Sequence, residues 1–87
     1  MGHARPRPKR LAEKLLQIRG TLGLSQREMA ERLAELAGVK ITSNNVSKYE
    51  RGRSVPFIEI VLAYARAADV EMIEIVDDDL DLPLKRE

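Results

Sequence analysis

The 87 residues contain no cysteine, no tryptophan, one phenylalanine and two tyrosines. Without thiols, neither a disulfide framework nor a thiolate metal site can form, which fits a reducing cytoplasm. With aromatics at 3%, the core has to be built from aliphatic side chains. No apolar run approaches the ~18 residues that span a bilayer, and the polar start MGHARPRPKR lacks the apolar stretch of a signal peptide. No membrane association is expected. The single histidine, His3, stands in that polar start, and no glycine-rich phosphate loop occurs. Catalysis therefore has little to stand on, and the expectation is a non-enzyme without a cofactor.

What is present is charge, unevenly placed. Residues 1–53 hold 12 Lys/Arg against 5 Asp/Glu, a net of +7, and residues 54–87 hold 3 against 9, a net of −6. The total of +1 hides this asymmetry. It suggests one face for an anionic partner and another turned away from it.

Along the chain there are no repeats, and only the two ends are biased in composition. ARPRPKR alternates Arg and Pro, which favours an extended basic arm over residues 1–7. A first helix is expected from near Pro8, because Leu11, Leu15, Ile18 and Leu22 recur at spacings of 4, 3 and 4. LSQRE then opens a second helix through a capping box of Ser25 and Glu28. Met29, Leu33 and Leu36 continue its apolar face, and Gly38 is a natural stop. Thr42 or Ser43 caps a third helix, which runs through Arg51 and ends at Gly52. Pro56 starts a fourth, with Ile60, Val61, Tyr64, Ala65 and Ala68 available to face inward. Around Met72 and Val76 the segment IEIV reads as a short fifth helix or a strand. The domain thus covers residues 8–76. Residues 77–87, DDDLDLPLKRE, read as an acidic tail or a short docked segment.

The third helix carries the functional signal. At ~100° per residue, Val46, Tyr49 and Glu50 share one side of TSNNVSKYERG, and Asn44, Ser47, Lys48 and Arg51 share the other. Asn45 lies on the margin. Asn pairs in bidentate fashion with adenine, Lys or Arg with guanine, and Ser with either base or with phosphate. A purely basic strip would hold phosphates without discriminating sequence. A solvated helix face usually carries Glu and Lys instead, because Asn and Ser are weak helix formers. A capped amphipathic helix, a turn and this helix together form a helix-turn-helix, whose second helix enters the DNA major groove.

LGLSQREMAERL with VSKYERGRSVP resembles the Cro and phage-repressor (Xre-type) helix-turn-helix family. Gly23, Leu24, Ser25, Gln26, Ala30 and Leu33 match the first half of its pattern, with Met29 in place of a Leu. Val46, Ser47, Tyr49, Glu50, Gly52 and Pro56 match the second. The resemblance implies an all-α, five-helix, lambda-repressor-like domain that binds double-stranded DNA as a transcriptional regulator, most often a repressor and a homodimer. It implies that Gln26 anchors phosphate and steadies the third helix, and that Ser43, Asn44 and Lys48 touch base edges. Asn45 and Ser47 support them, while Arg51, Arg53 and Ser54 meet the DNA backbone. Tyr49 packs inward, and Glu50 pairs with Arg19. One departure stands out. The family pattern leaves about ten positions where this chain has 16 between Ala30 and Val46, and about six extra helical residues add ~9 Å.

Other features have competing readings. Arg5, Arg7, Lys9 and Arg10 suit either a groove-tracking arm or a solvated end. The acidic residues 77–79 with Asp81 lack the Gly and closing Glu of a calcium loop. Met72, Ile73, Ile75 and Val76 serve either the monomer core or a two-fold interface. Two alternatives to a stand-alone regulator remain. One is a DNA-binding antitoxin whose acidic C-terminal end docks a protein partner, and the other is a protein-interaction module without DNA binding.

Overall fold

The computed structural model describes residues 8–84; the basic arm expected over residues 1–7 lies outside the described residues, as do residues 85–87. Helix α1 spans Leu11–Leu22, α2 Gln26–Ala37, α3 Ser43–Glu50, α4 Ile58–Ala68 and α5 Met72–Val76. No strand occurs among the described residues. The fold is the all-α, five-helix arrangement expected, and IEIV is helical rather than extended.

Local signals place most of the ends. Ser25 caps α2 as a full box, its Oγ accepting from Glu28 N at 3.0 Å while Ser25 N donates to Glu28 Oε1 at 2.8 Å. Gly38, at φ 73°, ends the same helix in the left-handed region that side chains resist. Helix α4 begins two residues after Pro56, with Phe57 as its N-cap, and α1 begins at Leu11 after a turn at Lys9 and Arg10.

One aliphatic core joins all five helices. Leu15, Ile18, Met29, Leu33, Val46, Tyr64 and Ile75 are almost wholly removed from water. Helix α2 packs on α3 and α4, and α1 touches α3, α4 and α5. The apolar residues of α5 divide: Ile75 is core, whereas Ile73 is 58% and Val76 36% exposed. Leu36 is likewise exposed near the end of α2, although Ala34 and Ala37 beside it pack against the core.

The extra residues between α2 and α3 are shared between helix and loop. Helix α2 runs on to Ala37, Gly38 turns the chain, and Ile41 drops back into the core at 8% exposure. That buried Ile41 returns the chain to its place before Thr42, so Ala30 and Val46 both keep core positions despite the longer path.

Residues 77–84 dock on the body of the domain. Leu82 is buried and Leu84 packs partly against the core. Asp77 Oδ1 accepts from Asp79 N at 2.9 Å, and Asp81 pairs with Arg10 at 2.7 Å. Among the described residues no cluster of acidic or histidine side chains is arranged to hold a metal, and no helix is long and apolar enough to cross a membrane.

Two predictions follow from this packing. The Tyr64 hydroxyl is buried without a hydrogen-bond partner among the described residues, and burial together with the Glu50 charge pushes its pKa well above the ordinary 10. Removing an unsatisfied buried hydroxyl relieves its desolvation. Tyr64→Phe is therefore expected to raise stability by about 1 kcal/mol in urea unfolding. The second concerns acid. Hydrogen bonds from Ser25 hold the Glu28 carboxyl below its ordinary 4.5, and those from the N–H groups of Arg10 and Lys9 hold Asp78 below 3.8. Both values are lower folded than unfolded, so their stabilisation is complete above the unfolded values and fades as pH falls through the folded ones. Thermal melts are expected to be flat with pH above about 5 and to lose stability below about 4, less steeply in Glu28→Gln.

Candidate functional site

The site is built on α3 and held from three directions. At its start, Thr42 adopts an extended conformation and forms a capping box with Asn45: Thr42 Oγ1 accepts from Asn45 N at 3.2 Å, and Thr42 N donates to Asn45 Oδ1 at 2.9 Å. The short helix, 8 residues long and poor in strong helix formers, depends on this cap. On its inner side Val46 is fully buried and Tyr49 is 8% exposed.

The third hold is electrostatic. Arg19 of α1 donates to Glu50 in bidentate geometry, Nε to Oε2 at 2.7 Å and Nη2 to Oε1 at 3.0 Å. Gln26 Nε2 donates to the same Oε1 at 3.1 Å, and Arg19 Nη1 donates to the Leu24 carbonyl at 3.0 Å. The Glu50 side chain is only 4% exposed. Its charge is therefore desolvated, and the guanidinium and amide together replace the lost water. The hydrogen bond to Glu50 raises the Arg19 pKa above the ordinary guanidinium value, against the opposing effect of burial. The pair implied between Arg19 and Glu50 is present.

With the inner side so held, the outer side is open. Asn44 and Lys48 are exposed on the outer side of α3, Ser43 is exposed at its first turn, and Ser47 and Asn45 are half-buried beside them. The carbonyl oxygen of Asn45 is committed to the Thr42 cap, so this residue serves the helix start. Gln26 is half-buried and its amide faces Glu50, which puts it behind α3, bracing the helix.

The loop after α3 folds back on it. Arg53 N donates to the Lys48 carbonyl at 2.9 Å and Gly52 N to the Tyr49 carbonyl at 3.2 Å, with Gly52 at φ 72°. Arg51 Nε lies at 3.4 Å from the Ser47 carbonyl. Arg51 and Arg53 are thus exposed guanidinium groups carried at the C-terminal end of the polar strip, and Ser54 is half-buried next to them. One candidate escaped the sequence reading. Lys40 is exposed in the turn just before the Thr42 cap, and its signal was only a lone lysine in an unfamiliar insertion.

The arrangement offers a rigid polar ridge of amide, hydroxyl and ammonium groups flanked by cations. It contains no nucleophile with an adjacent base, as acyl or phosphoryl transfer would require.

Comparisons with known proteins agree with the fold. The model of a family described as a helix-turn-helix domain matches residues 10–75. The restriction-modification controller protein C.AhdI from Aeromonas hydrophila is 32% identical, with a TM-score of 0.57, covering 76% of this chain and 91% of that one. The P22 c2 repressor protein, solved in complex with synthetic operator 9T, is 23% identical with a TM-score of 0.61, over 79% of this chain and 96% of that one. The second likeness concerns the fold. Among curated proteins no sequence matches the chain.

The lock behind α3 is directly testable. Glu50→Gln leaves the Arg19 guanidinium half-buried without its carboxylate, and is expected to lower the unfolding free energy by about 2 kcal/mol in urea. Unchanged stability would mean that the pair does not hold the helix.

Proposed function

The chain belongs to the helix-turn-helix domain family, of the phage-repressor (Xre) type that its sequence resembles, and from that premise we propose that it binds double-stranded DNA site-specifically and acts as a transcriptional repressor in the cytoplasm. The observation that carries this reading is the exposed strip Ser43, Asn44 and Lys48 on a helix braced from behind by Arg19, Glu50 and Gln26. A side chain reads a base edge only if its backbone is held still, and α3 has that support on its inner side.

In this reading α3 lies in the major groove. Asn44 addresses adenine N6 and N7, Lys48 addresses guanine O6 and N7, and Ser43 bonds either base or a phosphate. Arg51 and Arg53, with Lys40 at the opposite end, neutralise the flanking phosphates. Gln26 contributes by bracing α3, and Asn45 and Ser47 by supporting its exposed side. The relatives lend support: one is a repressor solved on an operator, and the other is a controller protein.

A homodimer completes the proposal, since domains of this kind read paired half-sites about one helical turn apart. Ile73 and Val76, exposed on α5, favour a second copy as the partner there. The antitoxin alternative draws its partner contact from the acidic C-terminal end. That end engages Arg10 and Lys14 of the same chain, which weighs toward the stand-alone regulator.

Asn44→Ala and Lys48→Ala are each expected to cost about 1–3 kcal/mol at the preferred site and to relax specificity there, while binding to random DNA stays near the parental level. Arg53→Ala is expected to weaken binding uniformly and to lower the salt slope by about 1. Fluorescence-anisotropy titrations at several salt concentrations measure both. If the two α3 variants bound all sequences as the parent does, α3 would not be the reader.

A further inference from the structure

Helix α1 has no cap of its own. Arg10 stands at its N-cap and its side chain makes no capping bond to the helix, and the turn that leads into α1 is held instead from the far end of the chain. Lys9 N donates to Asp78 Oδ2 at 2.8 Å and Arg10 N to Asp78 Oδ1 at 2.9 Å. The Arg10 guanidinium continues the contact, Nη1 to the carbonyls of Asp78 and Leu80 at 2.9 and 3.3 Å, and Nη2 to Asp81 Oδ1 at 2.7 Å. One turn further on, the Lys14 ammonium is wholly buried and donates to three main-chain carbonyls: Glu74 and Asp77 at 2.8 Å each and Leu80 at 2.6 Å. All three of its protons are used. None of these three bonds goes to a carboxylate; the ammonium is held by the end of α5 and the turn that follows.

These contacts lie largely outside the family's described region, which ends at residue 75. The other end of the same helix carries Arg19, whose bonds to Glu50 brace α3. We propose that residues 77–82 are a positioning element of the proposed DNA interface, holding α1 by its N-terminal half so that its C-terminal half presents Arg19 to Glu50, with Asp78 as the positioning residue. This rests on the DNA-reading role proposed for α3.

The mechanics follow from rigidity and reach. Arg10 and Arg19 are about 13 Å apart along one helix. Bidentate bonds at 2.7 and 3.0 Å tolerate shifts of only a few tenths of an ångström, so a tilt at one end of α1 is felt at the other. Lys14 fixes rotation about the helix axis as well, because turning it away strands a buried ammonium from its carbonyls. On the surface, Pro8, Lys9 and Ala12 line one groove together with Tyr49 of α3 and with Gly52 and Val55 of the loop that bears Arg51 and Arg53. The acidic run is thus a built-in ligand for α1. Its Asp78 carboxyl is held below the ordinary carboxylate range by the two N–H groups it accepts from.

The test uses the full chain with Asp78→Ala and Asp78→Asn, at a temperature where circular dichroism finds every variant folded. If Asp78→Ala does not fold, Asp81→Ala takes its place with the same expected signs. Two quantities are read: solvent exchange of the Arg19 Nε–H by NMR, and the ratio of affinity for the selected site to that for random DNA. Asp78→Ala is expected to speed exchange and to lower the ratio, each about fivefold. Asp78→Asn keeps one acceptor oxygen and is expected to fall between Ala and the parent. Unchanged exchange and an unchanged ratio would overturn the proposal. So would tighter binding to all DNA by both variants with Arg19 exchange unaltered, because residues 77–82 would then act only by charge repulsion. If the parent selects no DNA site at all, the reading of α3 fails. Arg19 exchange alone then decides whether residues 77–82 position α1.

Discussion

The most demanding contact in this small domain is one desolvated ion pair, Arg19 with Glu50. A carboxylate at 4% exposure is expensive unless its charge is matched, and here a bidentate guanidinium and the Gln26 amide match it. The three groups come from α1, the start of α2 and the end of α3, so the pair ties together the elements that a helix-turn-helix must hold in register. A hydrophobic contact would bury α3 as well, but it is non-directional. The bidentate bond specifies which way the helix is turned, and that decides which side chains face outward.

The second constraint is the path between α2 and α3. A longer connection would ordinarily leave the following helix loosely aimed. Here a left-handed Gly38 turns the chain, a buried Ile41 anchors it, and a Thr42–Asn45 box closes the start of α3. The insertion is therefore absorbed as an extended α2 and a pinned loop. The exposed strip of Ser43, Asn44 and Lys48 stands on a helix fixed at its start, on its inner side and at its C-terminal turn.

Much of this was legible in the order of residues, because the signals were local. The Leu11, Leu15 and Ile18 spacing marked the buried face of α1, the Ser25 and Glu28 box marked the start of α2, and the inward trio Val46, Tyr49 and Glu50 followed from helical geometry. What escaped was long-range. Lys14 sits on the apolar face of α1 between Leu11 and Leu15, and nothing nearby announces that its acceptors are carbonyls 60 to 66 positions away. The contact at the start of α1 escaped for the same reason: residues 77–87 read as an acidic tail or a short docked segment, and nothing local names the Lys9 and Arg10 N–H groups as what Asp78 meets. The resemblance implied that Gln26 both anchors phosphate and steadies α3, and the partner through which it steadies the helix, Glu50, became visible only in the packing. The outward Ile73 beside the buried Ile75 reflects a five-residue helix with one core-facing position.

The most direct test of the central claim, that a braced polar ridge on α3 reads DNA sequence, is selection of bound sites by the full-length chain from random duplexes. The expected result is an enriched motif with two-fold symmetry, its half-site centres about one helical turn (~34 Å) apart. Recovery of random sequence, with binding that depends on salt alone, would contradict the claim and leave α3 a helix that touches phosphates without reading bases.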